Sequence, residues 1–388
     1  MLRILLLAHD LADDSVGKRV AMLACGGAEV TLAGFRRTPE PIGSVAGCAA
    51  TDFGQTRDAA FGERIWAVAR SLLRLPRYRA LFEETDLIWA RTLEMLAIAV
   101  RGQALCSVAP PIVYESLDIH RLLLRQDLAG AALREVEGRL GRSARLLVTS
   151  SPAFVSNYFA TRSKVNLPVR LIENKVFIGK DDAPAALPRA RPSGPPWVIG
   201  WFGHIRCKES LRILTDAVQR HPGKVEVVIR GRPAFDDFER SISQTPGMRF
   251  LGPYKNPEDL DAIYREAHFT WAIDMFEHGL NSAWLLPNRL YEGGLYGCVP
   301  IADASVETGR FLQRLGIGVT LEEPLAASLA AFLDDITPER YRALEEAAEL
   351  VPRSTWLCEP TECTALVRDL ASLTAERALV QPRVRSAT

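Results

Sequence analysis

Two short stretches of this chain combine charge and glycine in a way that suits ligand chemistry. In Gly200-Trp201-Phe202-Gly203-His204-Ile205-Arg206-Cys207-Lys208, an apolar strand ends in Gly203 and two cations follow at the mouth of a helix. Fixed cations at such a point can receive an anion, and Arg232, beside Gly231 at the end of another apolar run, is a third candidate. In Asn288-Arg289-Leu290-Tyr291-Glu292-Gly293-Gly294, a carboxylate stands early in a helical pattern. A single carboxylate that accepts both hydrogens of a vicinal diol makes a charge-assisted, bidentate contact. Gly293 and Gly294 would let helix backbone approach a ligand, and exposed helix N–H groups bind anions. Asp118 and His120 follow the apolar run Ile112-Val113-Tyr114, at the carboxyl end of a strand, where open α/β sheets bind ligands. Each is a candidate general base. The D-x-D at Asp259 to Asp261 lies just after Asn256-Pro257 and reads as the start of a helix capped by Asn256, not as a metal site.

The elements that must position these residues alternate. Ile4 to Ala8 reads as a buried strand, Val16 to Cys25 as a helix, and Glu29 to Ala33 as a second strand after the turn Gly26-Gly27, which makes one βαβ unit. Further strands are expected at 87–89, 112–114 and 146–149. After the proline-rich stretch Asp181 to Pro196 the pattern restarts, with strands at 197–202, 225–229, 248–251 and 269–273 and helices over 209–220 and from Pro257. Such alternation argues for parallel sheets covered by helices. With 388 residues and ~100–200 per domain, two domains are expected: 1–172, 173–355, and a C-terminal helix from 356 that returns to the first, with a frayed end beyond Val380. Lys plus Arg equals Asp plus Glu at 47 each, so no basic field favours a nucleic-acid partner. The seven cysteines form no C-x-x-C pair, which argues against a disulfide frame or structural zinc. No run reaches the ~20 apolar residues of a membrane span, and a cytoplasmic protein is the simplest reading. The segment Glu63 to Arg79 sets Trp66, Leu72, Leu73 and Leu75 among five arginines, a pattern that can lie on anionic lipid as a peripheral contact.

The first strand lacks the G-x-G-x-x-G turn of nicotinamide enzymes. The stretch from Trp271 through Asp274, Asn281, Trp284 and Asn288-Arg289 to Glu292, Gly297 and Pro300, with Glu307-Thr308-Gly309 beyond it, resembles instead the donor-binding segment of GT-B glycosyltransferases of the family 4 type. Within these it is most similar to exopolysaccharide glycosyltransferases of the succinoglycan-assembly kind. The resemblance covers 197–310 well and the first domain weakly. It implies two Rossmann-like domains facing across a cleft and transfer of a hexose from a nucleoside diphosphate sugar, a UDP-sugar ahead of a GDP-sugar, to a saccharide acceptor that is lipid-linked. In that scheme Glu292 holds ribose, Asn288 is a further donor-binding residue, Arg206, Lys208, Arg232 and the Gly203, Gly293 and Gly294 backbone hold the diphosphate, and Asp118 and His120 serve the acceptor. The cations make a metal cofactor unnecessary. The loop Asp14 to Arg19 matches the flexible first loop of these enzymes. The chain departs from the family at one point: eight positions before Glu292 stands Trp284, so the usual E-x7-E pair is absent and retaining stereochemistry does not carry over. An epimerase or hydrolase of sugar nucleotides, and a non-catalytic partner of a transferase, are the alternatives.

Overall fold

The computed structural model describes residues 1–56, 61–179 and 192–380, the side chains of 61–67 and 376–380 excepted. Backbone contacts divide the chain into two compact units, Met1–Ile172 with Glu359–Thr388, and Glu173–Cys358. Of the expected linker Asp181 to Pro196, residues 181–191 lie outside the described residues, as does the tail beyond Val380.

The first unit is built on the strands β1 (Arg3–Ala8), β2 (Glu29–Arg36), β3 (Ser44–Val45), β4 (Cys48–Gln55), β5 (Leu87–Arg91), β6 (Ile112–Glu115), β7 (Ala144–Thr149) and β8 (Val169–Leu171). They form one sheet in the order β3-β4-β2-β1-β5-β6-β7-β8, parallel except for the small β3–β4 hairpin. Strand β1 is central and apolar throughout after Arg3, as a strand covered on both faces must be. The helix Asp14–Cys25 begins where Asp13 accepts the Ser15 N–H at 2.8 Å, and it buries Val16, Val20 and Leu23. The segment expected as a flexible first loop is therefore the opening of a capped helix. Leu366, Val367 and Leu370 of the helix Pro360–Val380 join the same core cluster. The two helices meet so closely that a β-carbon on Gly26 would lie 2.3 Å from the Cys363 carbonyl oxygen.

The second unit carries β9 (Val176–Phe177), β10 (Trp197–Ile205), β11 (Val225–Pro233), β12 (Met248–Phe250), β13 (Phe269–Trp271), β14 (Val299–Asp303), β15 (Val319–Leu321) and β16 (Leu357–Cys358). Six of these make a parallel sheet in the order β12-β11-β10-β13-β14-β15, and β9 pairs with β16 apart from it. Trp197, Trp201 and Trp271 fill one face of the sheet. At the ends of β10 and β11, Gly203 faces Gly231, and a β-carbon on Gly231 would stand 1.8 Å from the Gly203 carbonyl oxygen. Both glycines have positive φ, 109° and 137°, so neither a side chain nor ordinary strand geometry fits there.

Candidate active site

In the second sheet the chain runs from β10 outward to β11 and β12, then returns to the other side of β10 as β13. The strand order therefore reverses between β10 and β13, and the carboxyl ends flanking such a reversal are where open α/β sheets bind ligands. Arg206 follows β10 and Asp274 lies just beyond β13. Their side chains meet, Arg206 Nη2 donating to Asp274 Oδ2 at 3.2 Å. The Arg206 guanidinium also lies 4.8 Å from the centre of the Phe276 ring. Arg289, buried on the helix Asn288–Leu295, approaches the same Asp274 oxygen at 3.7 Å and donates to the Ile273 carbonyl at 2.8 Å. The other carboxylate oxygen accepts the Phe276 N–H at 2.9 Å. Burial alone would raise the Asp274 pKa, but Arg289, Arg206 and that N–H together hold it below the ordinary aspartate value. A charged carboxylate thus orders two arginines at the reversal. Beside it a pocket is lined by Asp274, His278, Ser282, Asp303, Val306 and Thr308.

Of the residues expected at the site, Arg206, Gly203 and Lys208 share the end of β10. Lys208 opens the helix Lys208–Arg220, exposed, with its ammonium 5.6 Å from the Phe235 ring. Arg232 is exposed on β11, opposite His204 of β10. Asn288 is exposed at the first position of its helix. Glu292 lies inside: Asn256 Nδ2 donates to its Oε1 at 2.9 Å and the Tyr264 hydroxyl to its Oε2 at 2.8 Å. Its carboxylate joins the loop after β12 to the helix that carries it.

Three expectations need correction. Gly293 and Gly294 do not bring backbone toward a ligand. A β-carbon on Gly293 would lie 2.3 Å from Thr270 Cγ2 and one on Gly294 2.5 Å from the Trp356 indole, so both are small because the helix packs against β13 and Trp356. The helix expected from Pro257 begins three residues later, as Leu260–Arg265, because the Asn256 side chain is drawn to Glu292 instead of capping. Asp261 pairs with Arg265 one turn on, at 2.7 Å. His120 is the cap of the short helix Arg121–Leu124, its Nδ1 accepting the Leu122 N–H at 3.3 Å. That lone pair is engaged, and the neutral ring then carries its proton on Nε2, which does not suit a base. Asp118 is exposed beyond β6.

The sequence carried no role for Asp274 or for Glu115, and structure shows both as organisers. Glu115, the last residue of β6, is fully buried and accepts Arg19 Nη2 at 2.7 Å and Trp89 Nε1 at 2.8 Å, with Arg91 Nε at 2.8 Å. The available signal was position: each is a carboxylate at the carboxyl end of an apolar strand. In the basic segment 63–79, the side chains of Arg64 and Trp66 lie outside the described residues. Arg70, Arg74, Arg77 and Arg79 are exposed, and Leu73 among them is 84% exposed. No described helix is long and apolar enough to cross a membrane.

No family model matches the chain. It is 49% identical over 396 aligned residues to the succinoglycan biosynthesis protein ExoL of Rhizobium meliloti (strain 1021), covering 100% of this chain and 98% of that protein. Among solved structures it is similar to sucrose-phosphate synthase from Thermosynechococcus elongatus, with a TM-score of 0.70 at 15% identity over 97% of this chain and 100% of the other. It is also similar to Anabaena Alr3699/HepE in complex with UDP and glucose, with a TM-score of 0.66 at 17% identity over 96% and 100%. These likenesses establish the fold as GT-B, in agreement with the two parallel α/β sheets.

Proposed function

Since this chain belongs to the family of the succinoglycan biosynthesis protein ExoL, we propose that it is a glycosyltransferase moving a hexose from a UDP-sugar to a lipid-linked saccharide acceptor in exopolysaccharide assembly. The observation that carries the chemistry is the cation cluster at the strand reversal of the second sheet, where Asp274 orders Arg206 and Arg289. Charge on a departing nucleoside diphosphate grows toward the transition state, so cations held in place before the reaction stabilise that state more than the bound donor. Arg206 and Lys208 receive the diphosphate, with Arg232 as a third cation and the open backbone at Gly203 beside them. Asn288 and Glu292 hold the ribose, Asp118 serves the acceptor, and no metal is required. UDP-glucose is the first donor to test, because the HepE neighbour was crystallised with UDP and glucose.

Two measurements test this reading. Calorimetry with UDP, GDP, UDP-glucose and GDP-mannose asks which nucleotide binds. Transfer of label from UDP-glucose to a lipid extract of Rhizobium meliloti lacking ExoL asks whether an acceptor is glycosylated. Labelled lipid-linked saccharide is the expected product. Free sugar released without an acceptor would indicate the hydrolase alternative, and UDP binding with neither product would indicate a non-catalytic partner.

A further inference from the structure

Glu307-Thr308-Gly309 opens the helix Glu307–Leu315, which follows β14. Each of the three residues fixes that helix in a different way. Buried Glu307 accepts Arg310 Nε at 3.0 Å and Arg314 Nη2 at 2.9 Å. The Thr308 hydroxyl donates to the Leu285 carbonyl at 3.2 Å, which ties the helix to the segment between β13 and the helix Asn288–Leu295. Gly309 lies so near the end of β14 that a β-carbon there would stand 2.1 Å from the Asp303 carbonyl oxygen. The motif thus holds one wall of the recess beside Asp274 in a fixed place.

The polarity of this recess follows from which hydrogens are already engaged. The Thr308 proton goes to Leu285. Ser282 Oγ accepts the Glu277 N–H at 2.9 Å and donates toward Asp274 Oδ1 at 3.5 Å. Asp303, 2% exposed at the end of β14, accepts the Ser305 N–H at 2.8 Å and the Ser305 hydroxyl at 2.7 Å, both on Oδ1. Among the described residues no donor reaches its Oδ2, and a buried carboxylate oxygen left so is costly. The buried polar side chains around the recess therefore leave acceptors open and no spare donor, while His278 stands exposed at the rim. A group that enters must donate a hydrogen bond. Size narrows the choice further, because the recess admits about one water-sized group: a substituent enters and a sugar ring does not. A hydroxyl meets both conditions. An acetamido group is too large, and a carboxylate would set acceptors against acceptors.

Position gives the hydroxyl its source. Asp274 both borders the recess and orders Arg206, and in a nucleoside diphosphate sugar the hexose is joined to the diphosphate through a single oxygen. A diphosphate on Arg206 therefore brings the hexose to the mouth of the recess. We propose that the recess is a specificity slot for the transferred hexose, taking one of its hydroxyl groups as a hydrogen-bond donor to Asp303. This rests on the transferase reading. Donors that carry an acetamido group or a carboxylate in place of that hydroxyl are excluded by size and by charge.

Calorimetry on the full chain tests the slot, with UDP, UDP-glucose and the four analogues of UDP-glucose that lack the hydroxyl at C2, C3, C4 or C6. In wild type at least one analogue should bind roughly tenfold or more weakly than UDP-glucose, as expected where a buried charged acceptor loses its donor. Asp303→Asn should keep UDP affinity within a factor of about two and bind UDP-glucose roughly tenfold more weakly. For one analogue its difference from UDP-glucose should shrink below about threefold in this variant, while the other three keep their wild-type factors. Retained UDP affinity also establishes that the variant is folded. Ala283→Val, which fills the recess from the Asn281–Trp284 side, should likewise weaken UDP-glucose and leave UDP unchanged. Equal factors for all four analogues in wild type and Asp303→Asn would overturn the assignment. If Asp303→Asn fails to hold UDP, Ala283→Val decides, and unchanged UDP-glucose affinity there would overturn it. So would a wild type that binds all four analogues as tightly as UDP-glucose, or that binds UDP and not UDP-glucose, whether or not the variants fold. If wild type binds neither UDP nor UDP-glucose and labels no lipid, the transferase reading fails first and this inference with it.

Discussion

At the residue scale, carboxylates act here by ordering arginines. Glu115 is held below the ordinary glutamate range: burial opposes its charge, but Arg19, Arg91 and the Trp89 N–H outweigh that cost. A group whose folded pKa is depressed contributes stability above its unfolded value of about 4.3, and the contribution is lost as pH falls through the folded value. Glu115→Ala leaves two buried guanidinium groups without their partner and should cost about 3–5 kcal/mol, read as a lower Tm at pH 7, with the gap to wild type narrowing in acid. Glu292 is a buried carboxylate held by neutral donors, Asn256 and Tyr264, instead. Glu292→Ala removes the acceptor that the Tyr264 hydroxyl holds at 2.8 Å inside the protein and should cost about 1–3 kcal/mol of stability. Glu292→Gln keeps an acceptor for that hydroxyl, so it separates structure from ligand binding. In a variant of wild-type Tm, UDP-glucose binding should weaken by about 1.5–3 kcal/mol, the worth of a bond to a charged group, and unchanged affinity would remove Glu292 from the ribose. At the anion side, Arg206→Ala and Lys208→Ala should lower kcat more than they raise the UDP-glucose Kd, with EDTA without effect. Activity that disappears with EDTA and returns with Mg²⁺ would assign the charge to a metal instead.

At the element scale, helix ends and strand ends divide the work. The strands terminate at the functional edges, where Gly231 lets β11 continue past a point at which a side chain would collide with the Gly203 backbone of β10. The helices serve as covers, and small residues decide how near they come, as Gly293 does against Thr270 and Gly294 against Trp356. The segment 68–79 is different, because its arginines and Leu73 face solvent while Ser71 and Leu75 are buried. If this surface meets anionic lipid, sedimentation with phosphatidylglycerol vesicles should show binding that weakens with salt, each cation near the surface contributing about 1 kcal/mol. Arg70, Arg74 and Arg77 changed together to Glu should abolish it. Equal sedimentation of variant and wild type would leave the segment as an ordinary solvated face.

At the scale of the whole molecule, the last helix belongs to the first unit although the second unit separates them in sequence. Removing residues 360–388 uncovers Val20, Leu23 and neighbouring side chains of the core that Leu366 and Leu370 complete. Amide exchange should rise over 14–25 and stay as in the full chain over β10, β11 and β13; equal protection of 14–25 would show that the terminal helix is dispensable. The α/β class, the βαβ opening and the core strands were legible in the sequence by themselves, because the burial of a strand on both faces is written in consecutive apolar residues such as Ile4 to Ala8 and Val225 to Ile229. The cations after β10 were legible for the same local reason. What the sequence could not contain was adjacency. Arg206 meets Asp274 across 68 positions and Arg19 meets Glu115 across 96. Strand order decides which carboxyl ends become neighbours, and it arises from how whole helices and sheets cover one another. The same holds for Gly293 and Gly294, whose spacing suits a ligand as well as it suits Trp356. Only the packed structure distinguishes the two, because a glycine's purpose lies in what occupies the space its missing side chain leaves.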